Sequence, residues 1–395
     1  MQIVAEMAEI AGAERLIDVT CAHVDGGLYH GRAGLDWAER LANAGGRVVV
    51  PTTLNVSSLD LLHPDLYRGP AETRAASRRL MECYVRMGCR PTWTCAPFQL
   101  PGRPGYGEQI AWAESNAIVF ANSVLGARTE RYGDFIDICA ALTGRVPDAG
   151  LHRDEGRRAQ ILFRLGDVPG RLMDHDVFYP LIGHLVGTEA GTEVPVIDGL
   201  PSDTSEDRLK AIGAAAASSG AVALFHAVGV TPEAPTLEAA LQGRAPESTI
   251  DVTLDRLRRA HSSLSTVTAE ERIDAVSLGT PHYSVTEFER LIELLSGRHL
   301  AVDLYVSTSR FVLDEIARRG WLEILRRAGV RVVVDTCTYV TTILDTTGVV
   351  MTDSAKWAYY APGNIGVEVV FGSTTECVRS AETGRVWRDG DLWGV

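Results

Sequence analysis

The stretch IDAVSLGTPHYSVTEFERLIELLSGRHLAVDLYVSTSRFVLDEIARRGWLEILRRAGVRVVVDTC, residues 273–337, decides the fold. It opens with an apolar run at 273–278 and passes through Ser284 into a segment at 284–297 with apolar residues three and four apart. A second apolar run follows at 301–306, then a helical pattern at 309–327 and a third strand at 330–336. Strands alternating with helices over short loops predict parallel sheets with crossover helices, a doubly wound α/β architecture.

The same rhythm extends outward. Upstream, strands are predicted at 15–20 and 47–53 with an extended piece at 92–97, and helices at 34–43, 71–87 and 107–125. Between and beyond lie strands at 159–165, 194–198, 221–228 and 367–371, with helices at 205–219 and 375–382. The run Gly187-Thr-Glu-Ala-Gly-Thr-Glu-Val-Pro195 predicts a boundary, giving α/β lobes over 1–195 and 196–395. In such sheets ligands bind at the carboxyl ends of strands.

Composition narrows the function. The 395 residues carry 38 basic and 51 acidic side chains, a net charge of −13, which argues against nucleic acid. No run of 18 apolar residues spans a membrane, and acid replaces base near the N-terminus, so a cytoplasmic location is expected. The 7 cysteines are scattered and form no CxxC pair, as reduced thiols would. Lysine occurs only at Lys210 and Lys356; nearly all other positive charge is arginine. GxGxxG after a strand, GxxxxGK[ST], HExxH and GxSxG are all missing, which removes the dinucleotide, triphosphate, zincin and α/β-hydrolase readings.

Polar residues collect at the predicted strand ends: Cys21-Ala-His23-Val-Asp25-Gly26-Gly27, Thr52-Thr53-Leu54-Asn55, Thr94-Cys95-Ala96-Pro97, Phe225-His226-Ala-Val-Gly229-Val-Thr231-Pro232-Glu233, Leu278-Gly279-Thr280-Pro281-His282, and Val334-Asp335-Thr336-Cys337. Each is ordinary turn chemistry taken alone; six such clusters on one side of the sheets point to a site. Cys95 and Cys337 stand where thiolates distant in sequence can share a metal or iron–sulfur cluster, whereas Cys83, Cys89, Cys139 and Cys377 lie on or beside helical patterns and are expected in the core. Glu114, Ser115, Asn116, Asn122 and Ser123 interrupt an apolar helix, where unpaired polar groups are costly. Ser354 and Lys356 stand near a helix start that favours an anion.

Together these segments resemble the large subunit, or catalytic domain, of aconitase X, a branch of the aconitase superfamily. The resemblance runs from His23-Val-Asp-Gly to Glu376-Cys-Val and includes Ile110-Ala-Trp-Ala-Glu-Ser-Asn-Ala, His226-Ala-Val-Gly-Val-Thr-Pro-Glu, Pro281-His-Tyr-Ser and Ser354-Ala-Lys356. It implies aconitase-like α/β/α lobes with mostly parallel sheets, and a lyase, a dehydratase with an iron–sulfur cluster. It implies a heterodimer with a small swivelling subunit as a separate chain. By the resemblance Cys95 and Cys337 are cluster ligands, and Thr280 occupies the third ligand position, where a thiol is expected. Asn55, Glu114, Ser115 and Lys356 fall on positions near substrate, Glu114, Ser115 and Lys356 being read as catalytic, and Gly26 and Gly27 on a substrate loop; Arg128 and Ser354 are read as further substrate-binding residues from their own chemistry. Leu28 stands where the phosphomevalonate branch has a serine, which favours cis-3-hydroxy-L-proline over mevalonate 5-phosphate as substrate. Two alternatives stay open: a scaffold redirected to another lyase or isomerase reaction without an intact cluster, as Thr280 permits, or a non-catalytic partner.

Overall fold

A computed structural model describes residues 1–267 and 272–393. Apart from one two-stranded antiparallel pair, Leu16–Asp18 with Arg145–Pro147, the sheets are parallel. A three-stranded sheet has the order Thr52–Leu54, Ala22–Val24, Ala111–Trp112. A four-stranded sheet runs His226–Ala227, Pro195–Asp198, Ile161–Arg164, Ser248–Asp251. The largest runs Val330–Val334, Asp303–Thr308, Ala275–Tyr283, Val349–Thr352, Glu368–Phe371, so the stretch that opened the reading is three adjacent parallel strands.

The predicted boundary between 195 and 196 falls inside the strand Pro195–Asp198, which is hydrogen-bonded on both flanks. The Gly- and Thr-rich run is instead the end of helix Phe178–Ala190 and its link to that strand. Gly183 and Gly187 let this helix press on helix Glu206–Ser219: an added Cβ would lie 2.4 Å from the Ile212 oxygen and 2.5 Å from that of Ala216. Glu206–Ser219 is apolar and small on most of its surface, and it also packs against Ser115–Phe120 and Ala355–Ile365. That position carries Lys210 into the interior.

The predicted helix 107–125 is in fact a loop, the strand Ala111–Trp112, the helix Ser115–Phe120 and a wider π turn at Ala121–Leu125. Ala111 and Trp112 pair with Ala22 and His23, and Glu114 at φ 73° turns the chain from strand into helix. The predicted helix 309–327 is broken at Gly320, φ 75°, into Arg310–Arg318 and Trp321–Ala328. The predicted strand at 47–53 begins only at Thr52.

Candidate functional site

Cys95 and Cys337 approach from different sheets. Cys337 follows the strand Val330–Val334 through Asp335, whose φ of 63° is unusual for a residue with a Cβ. That turn is held from all sides. Arg310 grips the fully buried Asp335 carboxylate with two bonds of 2.7 and 2.6 Å, and the Ser57 and Leu61 amides donate to Asp335. Cys95 follows an extended segment whose Thr94 amide donates to the Leu54 carbonyl. The Cys95 and Cys337 sulfurs and a ring nitrogen of His282 lie within 4.8 Å of one another, all buried. The adjacent Cys95 sulfur, with burial, holds the Cys337 thiol well above its ordinary pKa.

His282 is a member of this group that the sequence reading did not assign as a ligand. Burial depresses its ring to about 4, so it is neutral. The Thr94 hydroxyl accepts from the Ala96 amide and faces His282 Nδ1 at 3.0 Å, while Nε2 faces the Thr336 carbonyl at 3.1 Å. These partners place the proton on Nε2. Both ring nitrogens are therefore occupied, and what His282 directs at Cys95 is its backbone N–H, 3.3 Å from the sulfur.

Beside the thiols sits a buried ion pair, Lys356 with Glu114, whose side chains are 3% and 6% exposed. Glu114 caps helix Ser115–Phe120, its other oxygen accepting from the Ala117 amide at 2.8 Å. Burial pushes the Glu114 carboxyl up, but Lys356 and the amides outweigh it and hold the acid below its ordinary value. Lys356 stays charged: burial lowers it, and Glu114 more than restores it. The half-buried Ser115 hydroxyl lies 3.3 Å from both Lys356 Nζ and Glu114. Lys356 reaches this point from the helix Ala355–Ile365 immediately after the strand Val349–Thr352, as its place in sequence predicts.

Several buried polar atoms in this region have no partner among the described residues: His23 Nε2, Asn55 Oδ1, Asn116 Oδ1 and Thr280 Oγ1. The other ends of these side chains are fixed: His23 Nδ1 to Thr53, Asn55 to Asp25, and Asn116 to the Cys95 carbonyl at 2.9 Å. Burying such atoms unpaired is unfavourable by roughly 1–3 kcal/mol each, so their grouping marks a place built for a ligand. By contrast Asn122 and Ser123, conspicuous in the sequence, are fully satisfied by Thr129, Ala223 and Phe225.

The remaining predicted residues are placed as follows. Gly26 leaves room for the Tyr84 hydroxyl, which would lie 2.0 Å from an added Cβ; Gly27 packs on Trp93 and the Val56 carbonyl. Arg128 bonds to Asp154 and the His152 carbonyl, a network separate from Lys356. Ser354 caps its helix by accepting from the Trp357 amide, and donates to the Thr280 carbonyl. Next to the ion pair opens a cavity of about 310 Å³. The first turns of helices Glu206–Ser219, Val285–Leu295, Ala355–Ile365 and Thr374–Thr383 wall it, and Lys210, Lys356, Thr280 and Asp353 face it. No helix among the described residues is long and apolar enough to cross a membrane.

Comparison with known proteins agrees with this geometry. Family models match the chain as the Aconitase X first domain over residues 1–155, second domain over 159–262 and third domain over 273–383. The chain is 46% identical over 394 residues to a cis-3-hydroxy-L-proline dehydratase of Pseudomonas aeruginosa, covering 98% of this chain and 67% of that protein. It is 43% identical to a protein of the same name from Hypocrea jecorina, covering 96% and 65%. It thus spans about two thirds of the length of these relatives. A phosphomevalonate dehydratase large subunit of Methanothermobacter thermautotrophicus is 37% identical, covering 96% and 93%. The crystal structure of Thermococcus kodakaraensis aconitase X in its holo-form superposes with a TM-score of 0.86 at 32% identity, covering 96% of this chain and 94% of that one.

Proposed function

This chain belongs to the aconitase X family, and on that footing we propose that it is the large, catalytic part of a dehydratase acting on a small 3-hydroxy acid, foremost cis-3-hydroxy-L-proline. The observation that carries the reading is the buried Lys356–Glu114 pair set among unpartnered polar atoms beside two convergent thiols. The higher identity to cis-3-hydroxy-L-proline dehydratases than to phosphomevalonate dehydratase large subunits supports the substrate. That the latter relatives are large subunits supports a small partner chain, and seven free cysteines support a reducing, cytoplasmic setting.

The donor set fits a thiolate-held iron–sulfur group: two buried thiols converge, and soft sulfur donors select such metals. Cys95 and Cys337 would hold it, with Thr280 offering at most a hydroxyl. When bound, the group supplies a Lewis acid for a leaving hydroxyl. The chain's own residues do the rest. The Lys356 ammonium, fixed by Glu114, has an N–H left over for the substrate carboxylate and stabilises the negative charge that develops there as the C2 proton leaves. Ser115, whose hydroxyl donates to Glu114, can take that proton only as its own passes to the Glu114 carboxylate; otherwise the base comes from the small partner. Loss of water across C2 and C3 gives an enamine, which tautomerises to a cyclic imine.

The test is direct. The chain with its small partner is incubated with cis-3-hydroxy-L-proline and with mevalonate 5-phosphate, and products are read by NMR. The proposal expects the cyclic imine from the first; faster turnover of the second overturns the substrate assignment, and silence with both overturns the activity.

A further inference from the structure

The cavity beside the ion pair has an uneven balance of charge. Lys210 is 2% exposed, and its three N–H groups are occupied by Asp207 at 2.9 Å, by Glu287 and by the His282 carbonyl at 3.4 Å. Arg208 and Arg290 both bind Asp176. Asp353 differs: its partners are the neutral hydroxyls of Tyr283 at 2.5 Å and Thr374 at 2.9 Å. Arg290 and Lys210 act on Asp353 through space, yet neither forms an ion pair with it. Across the wall, Lys356 keeps one N–H free of Glu114 and Ser115, and Thr280, 6% exposed, has a hydroxyl without a partner. Among the described residues the cavity thus offers a carboxylate without an ion pair, lifted above its ordinary value by burial, in one place and a free ammonium donor in another.

We propose that this cavity is the substrate compartment and that Asp353 receives the ammonium of an amino-acid zwitterion while Lys356 receives its carboxylate. The inference rests on the dehydratase reading and names the residue that selects amino acids within it. A trianion such as a phosphorylated hydroxy acid would set its charge against Asp353, whereas a protonated secondary amine supplies the N–H donors that no cation among the described residues gives this carboxylate.

The experiment compares L-proline with cyclopentanecarboxylate, the same ring without nitrogen, by titration calorimetry on the full chain. L-Proline is expected to bind about 10-fold or more tightly, as one charge-assisted hydrogen bond provides. Asp353→Asn should bring that ratio close to one. Thr374→Val, which leaves the carboxylate in place, should keep the preference. Equal binding of the two ligands by the wild type overturns the proposal even if Asp353→Asn fails to fold, and so does a preference that survives in a folded Asp353→Asn chain. Turnover of cis-3-hydroxy-L-proline without this preference would refute Asp353 and spare the dehydratase; the preference without turnover would do the reverse.

Discussion

Replacing Lys356 by Met removes one half of a pair whose side chains are 3% and 6% exposed. The methylene stem is kept, so little packing is lost, and the main effect is a Glu114 carboxylate stranded without its cation. Breaking a buried pair on one side destabilises by about 3–5 kcal/mol. The sign of the pH dependence follows. In the wild type Glu114 sits below its ordinary value, so its contribution is present above the unfolded value of 4.5 and is lost as pH falls through the lower folded value. In Lys356→Met only the Ala117 and Asn116 amides still oppose burial, the largest influence, which lifts the carboxyl above 4.5, so the variant is penalised most at high pH and recovers as the acid protonates. Guanidinium unfolding of the metal-free chain at about pH 8 and about pH 5 measures both effects. A double variant with Glu114→Gln should regain much of the loss, since no charge then remains to be stranded. A cost below about 1 kcal/mol at the higher pH, the range of solvated surface pairs, would refute the reasoning; so would equal costs at both pH values.

Cys95→Ser and Cys337→Ser should each lose iron after anaerobic reconstitution, whereas Cys83→Ser, Cys89→Ser and Cys139→Ser keep it, and Thr280→Cys should raise retention; equal iron in all of them would remove the ligand assignment. Burial pushes Asp137 up to about 7 from 3.8, so the folded state keeps a proton that the unfolded chain releases, and that stability is lost as pH rises through about 7. Compared with Asp137→Asn, the wild type should therefore lose ground between about pH 5 and about pH 8, by about 2–3 kcal/mol; parallel urea midpoints would contradict this. Arg310→Met leaves the fully buried Asp335 unpaired next to the Cys337 turn, and should lower both the unfolding free energy, by at most about 3 kcal/mol since Arg310 is itself 37% exposed, and iron content. Unchanged iron would show that Arg310 does not shape the thiol site.

The parallel sheets were legible because their strands are apolar on both faces, and the helices between them are amphipathic. Helix Phe178–Ala190 escaped notice for the opposite reason: it is buried nearly all round and shows no polar face. The segment 107–125 misled because helical spacing continues through a strand pairing that only the tertiary fold creates, at Ala111 and Trp112. At the site, Cys95, Cys337, Glu114 and Lys356 were legible as residue types at element ends, helped by the family resemblance. His282 was quoted in its motif, yet its proximity to the thiols depends on the Ser57–Asp335 and Asp60–Val334 contacts that join distant parts of the chain. No local pattern encodes such closure.

The sequence holds two side-chain amines, and both are shut inside the same cavity, 2% and 3% exposed. An acylating reagent that seeks lysine therefore finds nothing on the outer surface of the folded protein that it can modify through a side chain. Its rate of reaction at Lys210 and Lys356 becomes a clock for how often the cavity opens. Each label can be assigned by mass spectrometry without the background that a lysine-rich protein would add. Ligands that close or fill the cavity would slow that clock, so the scarcity of lysine makes this chain its own footprinting reporter.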